Sequence, residues 1–281
     1  MLVFDDIQAL KSYIRSAKSE KKSIGLVPTM GALHQGHLSL IERSASENDI
    51  TICSIYVNPV QFNNSADLKK YPRTIEDDKQ LLSVVDDVHI FLPSNQIMYP
   101  EAPKLKFNFG DLEEVMEGAF RPGHFHGVAL VVSKLFHLVS PDRAYFGQKD
   151  LQQCMIVKQM VKDLSFDLEL IICPTQREAD GLAMSSRNKR LNETHRKEAT
   201  GLSKVLFMAK ELIEKGEKDF DLIKSEVIKT LSKTQIKLEY FQIVSKDSLQ
   251  ELKERKENEA IALCIAAYVG EVRLIDNLII S

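Results

Sequence analysis

Short apolar runs bounded by turn residues alternate with helix-length stretches from the amino terminus to Cys173, and this alternation constrains the fold more than any other feature. Residues 23–28, 50–57, 88–92, 143–146 and 168–173 read as strands, mostly apolar on both faces. Residues 5–19, 38–47, 75–85, 128–139 and 151–163 read as the helices between them. Strands that are apolar on both faces must be covered on both sides, and strand–helix alternation implies crossover connections. The expected fold is therefore α/β, with a doubly wound parallel sheet whose ligands gather at the carboxyl ends of the strands.

Past Arg187 the texture changes. Residues 192–215 and 220–232 read as amphipathic, highly charged helices, followed by strand-like 238–244, 260–269 and 272–280. Only Gly270 and Glu271 separate the last two strands, which suits a hairpin turn. With 281 residues against roughly 150 per domain, the length allows one large domain or two ordinary ones, and the change of texture favours two units. A Rossmann-like nucleotide domain would span 1–174, and a smaller carboxyl-terminal α+β unit, 175–281, would close over it. The charge run 253–259 reads as a solvated loop or helix face.

Composition matters chiefly for what it excludes. Thirty-seven Lys plus Arg against 40 Asp plus Glu give a net charge of −3, so no overall basic field draws the chain to nucleic acid or acidic lipid. Any anionic ligand must meet a local site. The amino terminus turns acidic at Asp5 and Asp6 without a basic, then apolar, leader, and no run approaches the ~18 apolar residues of a membrane span. The four cysteines, Cys53, Cys154, Cys173 and Cys264, show no CxxC spacing and read as buried free thiols. A cytoplasmic location is expected.

Two stretches carry chemistry. After the first strand comes Met30-Gly31-Ala32-Leu33-His34-Gln35-Gly36-His37, two histidines three apart around a glycine at a helix entrance. A helix amino terminus offers unpaired N–H groups to a phosphate, and imidazole N–H donors can follow charge as it develops during displacement at phosphorus. An HxxH metal pair would need further ligands, and the adjoining sequence offers none; Walker and GxGxxG loops are absent here. The second stretch runs from Gln176 to Met184-Ser185-Ser186-Arg187, where hydroxyl, backbone and guanidinium donors suit a polyphosphate.

Together these stretches resemble the HxGH/KMSKS nucleotidyl-transferase superfamily, and within it the pantothenate synthetases. The resemblance spans the chain through further blocks, Asn58-Pro59-Val60-Gln61, Tyr71-Pro72-Arg73-Thr74, Arg121-Pro122-Gly123-His124-Phe125-His126 and Phe146-Gly147-Gln148-Lys149-Asp150. It implies ATP-dependent condensation of pantoate with β-alanine through a pantoyl adenylate, releasing pyrophosphate and then AMP, with Mg²⁺. It implies an ATP site of Met30 to His37, Gly147 to Asp150, Gln176 and Met184 to Arg187, with His37 as proton donor. Gln61 and Gln153 would grip pantoate, and Gln61 would also lie near β-alanine. His34, Lys149 and Arg187 would complete the catalytic set, and a homodimer built through the amino-terminal domain is expected. The chain has Ala183-Met184-Ser185-Ser186-Arg187 where the superfamily has KMSKS, so Lys149 is expected to supply the missing ammonium.

Neutral amides suit a hydroxy acid whose carboxylate must attack, because an arginine clamp would blunt it. Gln61 and Gln153 also argue against a nucleotidylyltransferase with a phosphorylated acceptor, and the acidic balance argues against a tRNA-binding relative. Arg121 and His124 are secondary candidates for phosphate or substrate contact. Asp77 and Asp78 read as dipole caps of their helix before Mg²⁺ carriers. Gly181 marks the 180–188 loop as a candidate lid.

Overall fold

The computed structural model describes residues 1–254 and 259–280, so the run at 253–259 lies largely outside the described residues. The strands are β1 (Val3–Phe4), β2 (Ile24–Thr29), β3 (Ile50–Ile55), β4 (Val88–Phe91), β5 (Arg143–Gly147) and β6 (Glu169–Cys173). They form a six-stranded sheet in the order β1-β4-β3-β2-β5-β6, parallel throughout. Its helices are α1 (Ile7–Ser19), α2 (Gln35–Glu47), α3 (Ser65–Lys70), α4 (Ile75–Leu82), α5 (Asn95–Met98), α6 (Met116–Phe120), α7 (His124–Val139) and α8 (Leu151–Asp163). The strand order reverses between β2 and β5, and this switch point is where a doubly wound sheet opens a crevice.

The remainder holds α9 (Glu193–Glu214), α10 (Phe220–Leu231) and a three-stranded antiparallel sheet, β7 (Lys237–Ser245), β8 (Ile261–Val269) and β9 (Val272–Ile280). The doubly wound sheet and the smaller α+β unit implied by the sequence are thus both present. The small unit has an apolar cluster of its own, through Leu206, Val227 and Ile265, while its Val244, Leu249, Ala262 and Cys264 join the cluster of Phe136, Phe146 and Met155.

Boundary differences have local causes. α7 starts at His124, not 128, because Gly123 at φ 78° turns the chain into a helix with 12 of its 16 residues buried. A helix covered on nearly all sides needs no polar stripe, so its start escapes a search for periodicity. The third strand stops at Ile55 because Asn58 accepts from Val60 N and caps a 3₁₀ turn at Pro59–Gln61. α2 begins at Gln35, which places His37 in its first turn and His34 at its cap. All four cysteines are buried free thiols, and burial pushes those of Cys53 and Cys264 up to about 12. Among the described residues no helix is long and apolar enough to cross a membrane.

Candidate active site

Four loops leave the carboxyl ends of β2, β3, β5 and β6 and meet over the switch point in a cleft of about 190 Å³. Met30, His34, Gly36 and His37 line one side, with Gln61 beside them. Gly147, Lys149, Asp150, Gln153 and Gln176 line the floor, and Met184 to Arg187 close the far side. Gly31, Ala32, Leu33, Gln35 and Gln148, also expected at the nucleotide, are not among the residues that line the cleft. The apolar wall is α7, through Val128, Val131, Val132 and Leu135.

The turn before α2 is shaped by a carboxylate. Gly31 and Ala32 take positive φ, 76° and 50°, a conformation that costs an alanine about 1–2 kcal/mol. Asp78, 2% exposed on α4, accepts from Ala32 N at 3.0 Å and Leu33 N at 2.8 Å. These consecutive N–H groups form an anion-binding nest that the protein fills with its own side chain. Asp78 thus belongs to the architecture of the histidine loop, beyond the capping role its position in α4 suggests.

The loop delivers two imidazoles in contact, with ring centroids 4.0 Å apart. Both Nδ1 atoms are buried without a hydrogen-bond partner among the described residues. Burial, then Lys149 and Lys189, lowers His34 to about 4; burial, then His34 and Lys149, holds His37 well below the ordinary imidazole range. Two neutral imidazoles with unused buried nitrogens are unusual, because buried polar atoms normally find partners. They are suited to an anion that brings its own acceptors.

The glutamines are prepared differently. Gln61 is buried, its Oε1 fixed by Asn58 Nδ2 at 3.1 Å and its Nε2 aimed at Met30 Sδ at 3.2 Å. Its carbonyl oxygen accepts from His124 Nδ1 at 2.8 Å, and Gly127 lets α7 approach, since a Cβ there would stand 2.5 Å from the Gln61 backbone. Gln153 makes no side-chain hydrogen bond among the described residues and opens on the cleft. Its neighbour Gln152 is fully engaged, donating to Leu112 O and Val115 O and accepting from Glu117 N. Of the secondary candidates, His124 donates from Nδ1 to Gln61 O and Arg121 Nη1 lies 3.4 Å from Glu117.

Cations occupy the far side. Lys149 Nζ lies 3.7 Å from Asp150. Arg187 donates to Asp67 at 2.9 Å and lies over the Tyr71 ring, while Arg190 takes the other Asp67 oxygen at 2.9 Å. Tyr71 Oη and Ser186 Oγ are 3.2 Å apart, so α3 and the 185–190 turn are stitched together. Met184 N donates to Gln176 O at 2.9 Å, which sets the lip of the cleft.

The family model described as pantoate-beta-alanine ligase matches residues 2–279. The chain belongs to the pantoate-beta-alanine ligase family. It is 50% identical to the pantothenate synthetase of Caldicellulosiruptor bescii, covering 100% of this chain and 99% of that one. It is 47% identical to that of Thermosipho africanus, covering both chains fully. The crystal structure of pantothenate synthetase from Thermus thermophilus superposes with a TM-score of 0.91 at 39% identity over 99% of each chain. The pantoate-beta-alanine ligase of Francisella tularensis, solved with beta-gamma ATP and beta-alanine, gives 0.80 at 39% identity, over 99% of this chain and 97% of that one. The protein is thus a ligase of the pantothenate-synthetase type.

In this ligase, the supporting groups escape sequence reading more than the lining groups do. Asn58 and Tyr71 sit inside recognisable blocks, yet nothing local marks the first as a brace for Gln61 or the second as a tie to Ser186. Asp67 carries no local signal at all, since its partners lie 120 and 123 positions away.

Proposed function

We propose that this cleft condenses (R)-pantoate with β-alanine through a pantoyl adenylate. A pantoate carboxylate oxygen attacks the α-phosphorus of ATP and pyrophosphate leaves; the β-alanine amine then attacks the acyl carbon, and AMP leaves with the bonding pair. Two anions must approach in the first step, and Lys149 and Arg187 offset their repulsion. His34 and His37 donate N–H to the charge growing on the phosphates; a polyanion beside His37 raises its proton affinity, so it can act as a proton donor there. Gln61 and Gln153 orient pantoate through amides that leave its carboxylate nucleophilic, and Gln61 also faces the amine. The observation that carries this reading is the convergence of two unpartnered neutral imidazoles, Lys149 and two glutamines over one switch point.

Residues 1–174 serve as the ATP- and pantoate-binding unit and 175–281 as the part that closes, with Gly181, at φ 90°, in the turn of the loop nearest the nucleotide. Closure would protect a hydrolysable intermediate. No group of three His, Cys, Asp or Glu side chains that could hold a metal occurs among the described residues. Asp78, the tempting carboxylate, is committed to the Ala32 and Leu33 N–H groups. The residues therefore provide no cage for Mg²⁺, an ion that commonly enters on substrate phosphates and keeps its waters. The resemblance also supports a cytoplasmic homodimer.

Pantoate-dependent exchange of labelled pyrophosphate into ATP, without β-alanine, is the test. Exchange is expected, and active enzyme that shows none would rule out a free-standing adenylate step.

A further inference from the structure

β9 carries two adjacent polar side chains that are each 3% exposed, Asp276 and Asn277. Neither lies in a stretch that the sequence marks for chemistry, and neither lines the nucleotide cleft. Their partners do. The Asn277 amide donates from Nδ2 to Gln148 O at 3.0 Å and to Lys149 O at 2.9 Å, while its Oδ1 accepts from Gln148 Nε2 at 3.2 Å. Both donors are used, and both point at the backbone of the turn that presents Lys149. Asp276 receives the Arg177 guanidinium in a two-point pair, at 2.6 and 2.9 Å, and accepts from Asn277 N at 2.7 Å. Arg177 continues to Gly181 O at 3.0 Å and pairs across a bridge with Ala183, the residue before Met184.

One dipeptide of the small sheet thus grips two walls of the nucleotide cleft that are far apart in sequence. The Lys149 ammonium has no close partner, with Asp150 at 3.7 Å its only ion pair among the described residues. A flexible four-carbon stem without a grip at its tip is placed by its backbone, so the anchor of that backbone sets where the charge stands.

We infer that Asn277 is a positioning residue for adenylate formation, fixing through the Gln148 and Lys149 carbonyls the turn from which Lys149 meets the triphosphate. Asp276 performs the parallel task for the far wall by holding Arg177 and, through it, the hairpin that leads to Met184. The inference rests on the reading of Lys149 as a phosphate ligand. It makes the small sheet part of the catalytic apparatus.

The test compares two substitutions that separate hydrogen bonding from volume. Asn277→Asp keeps the shape but replaces both donors with lone pairs facing two carbonyl oxygens; Asn277→Ala deletes the contacts and leaves space. If Asn277 positions Lys149, Asn277→Asp is the worse variant, with kcat/KM for ATP down roughly tenfold or more and KM for pantoate unchanged. A residue that only fills space gives the reverse order. Melting temperature measured alongside separates loss of fold from loss of alignment, and if Asn277→Asp does not fold, Asn277→Ala carries the test through its coupling to Lys149→Ala. The Asn277→Ala and Lys149→Ala effects on ATP should be much less than additive, because each removes the same placed charge. Additive effects, or full activity per folded molecule in Asn277→Ala, would overturn the inference. Full activity in Lys149→Ala would instead remove the reading of Lys149 on which it rests.

Discussion

The two facing walls of the cleft solve the problem of receiving a polyphosphate in opposite ways. On the side of α2, His34 and His37 are neutral, buried and unpartnered at Nδ1. On the side of the 185–190 turn, burial opposes the charge of Arg187 but the Asp67 carboxylate more than offsets it, so the guanidinium stays firmly protonated in an ion pair. The histidine wall has capacity and no charge; the arginine wall has charge that a carboxylate already pairs. The imidazole Nδ1 atoms hold no protein partner that a triphosphate would displace, whereas Arg187 already shares its charge with Asp67. Preorganised, unpaired donors act where charge develops, so the histidine wall should govern turnover and the arginine wall nucleotide affinity.

The largest effect should break the comparison at its catalytic side. His37→Ala should lower kcat by on the order of 10² or more with a small change in KM for ATP, as loss of one preorganised donor does. Turnover at the wild-type level would remove His37 from the mechanism. A raised KM with intact kcat would mean that the two walls had exchanged roles.

Acid stability probes the same wall without substrate. His34 and His124 fall to about 4, and His37 is held well below the ordinary imidazole range, each chiefly through burial. Between pH 6.5 and 4 the unfolded chain therefore binds more protons than the folded one, and stability rises with pH across that window. It should be complete above about pH 6.5 and fall as the pH drops, by on the order of 2 kcal/mol per histidine at pH 5. A non-hydrolysable ATP analogue should shrink the loss, because a polyanion returns proton affinity to His34 and His37 but not to His124. Melting curves at pH 7 and 5 decide, and equal losses with and without nucleotide would place the phosphates elsewhere.

Adjacent glutamines give a sharper contrast of one residue. Gln153→Ala should raise KM for pantoate roughly tenfold and spare ATP, in line with a lost substrate hydrogen bond. Gln152→Ala should do the reverse, lowering the melting temperature by leaving Leu112 O and Glu117 N without their side-chain partner while KM for pantoate stays put. If both variants behave alike, the free amide of Gln153 is not a substrate contact.

Gln153 entered through the family resemblance and lines the cleft, whereas the bracing task of its neighbour Gln152 has no signal in the sequence. The sheet was legible because its strands are local apolar runs; β1, at two residues, and α3, α5 and α6, at four to six, are too short to carry a period. The lining groups His34, His37 and Arg187 were legible because their chemistry is carried by type and local spacing, whereas Lys149 came only through the family resemblance. Their braces were not legible. Asp78 reaches back 46 positions to Ala32, and Asn277 reaches 128 to Lys149. Its place in the first turn of α4 invites a capping account of Asp78, while its side chain leaves that helix for the nest at Ala32 and Leu33. A carboxylate's partner across the fold is a property of topology, and periodicity does not encode it.

The smallest effect asks whether the arginine wall truly gives up a partner. Asp67 is one-quarter exposed, and pairs of that kind are worth about 0–1 kcal/mol. Asp67→Asn keeps an acceptor for one guanidinium and removes the charge that Arg187 and Arg190 share. If Asp67 competes with the triphosphate, KM for ATP should fall about two- to fivefold with kcat unchanged, and the gain should shrink at high salt. If Asp67 instead holds Arg187 in its working position, the same substitution raises KM. The first outcome makes Asp67 a counter-ion that keeps a buried charge paired until nucleotide arrives; the second makes both walls preorganised and ends the contrast between them.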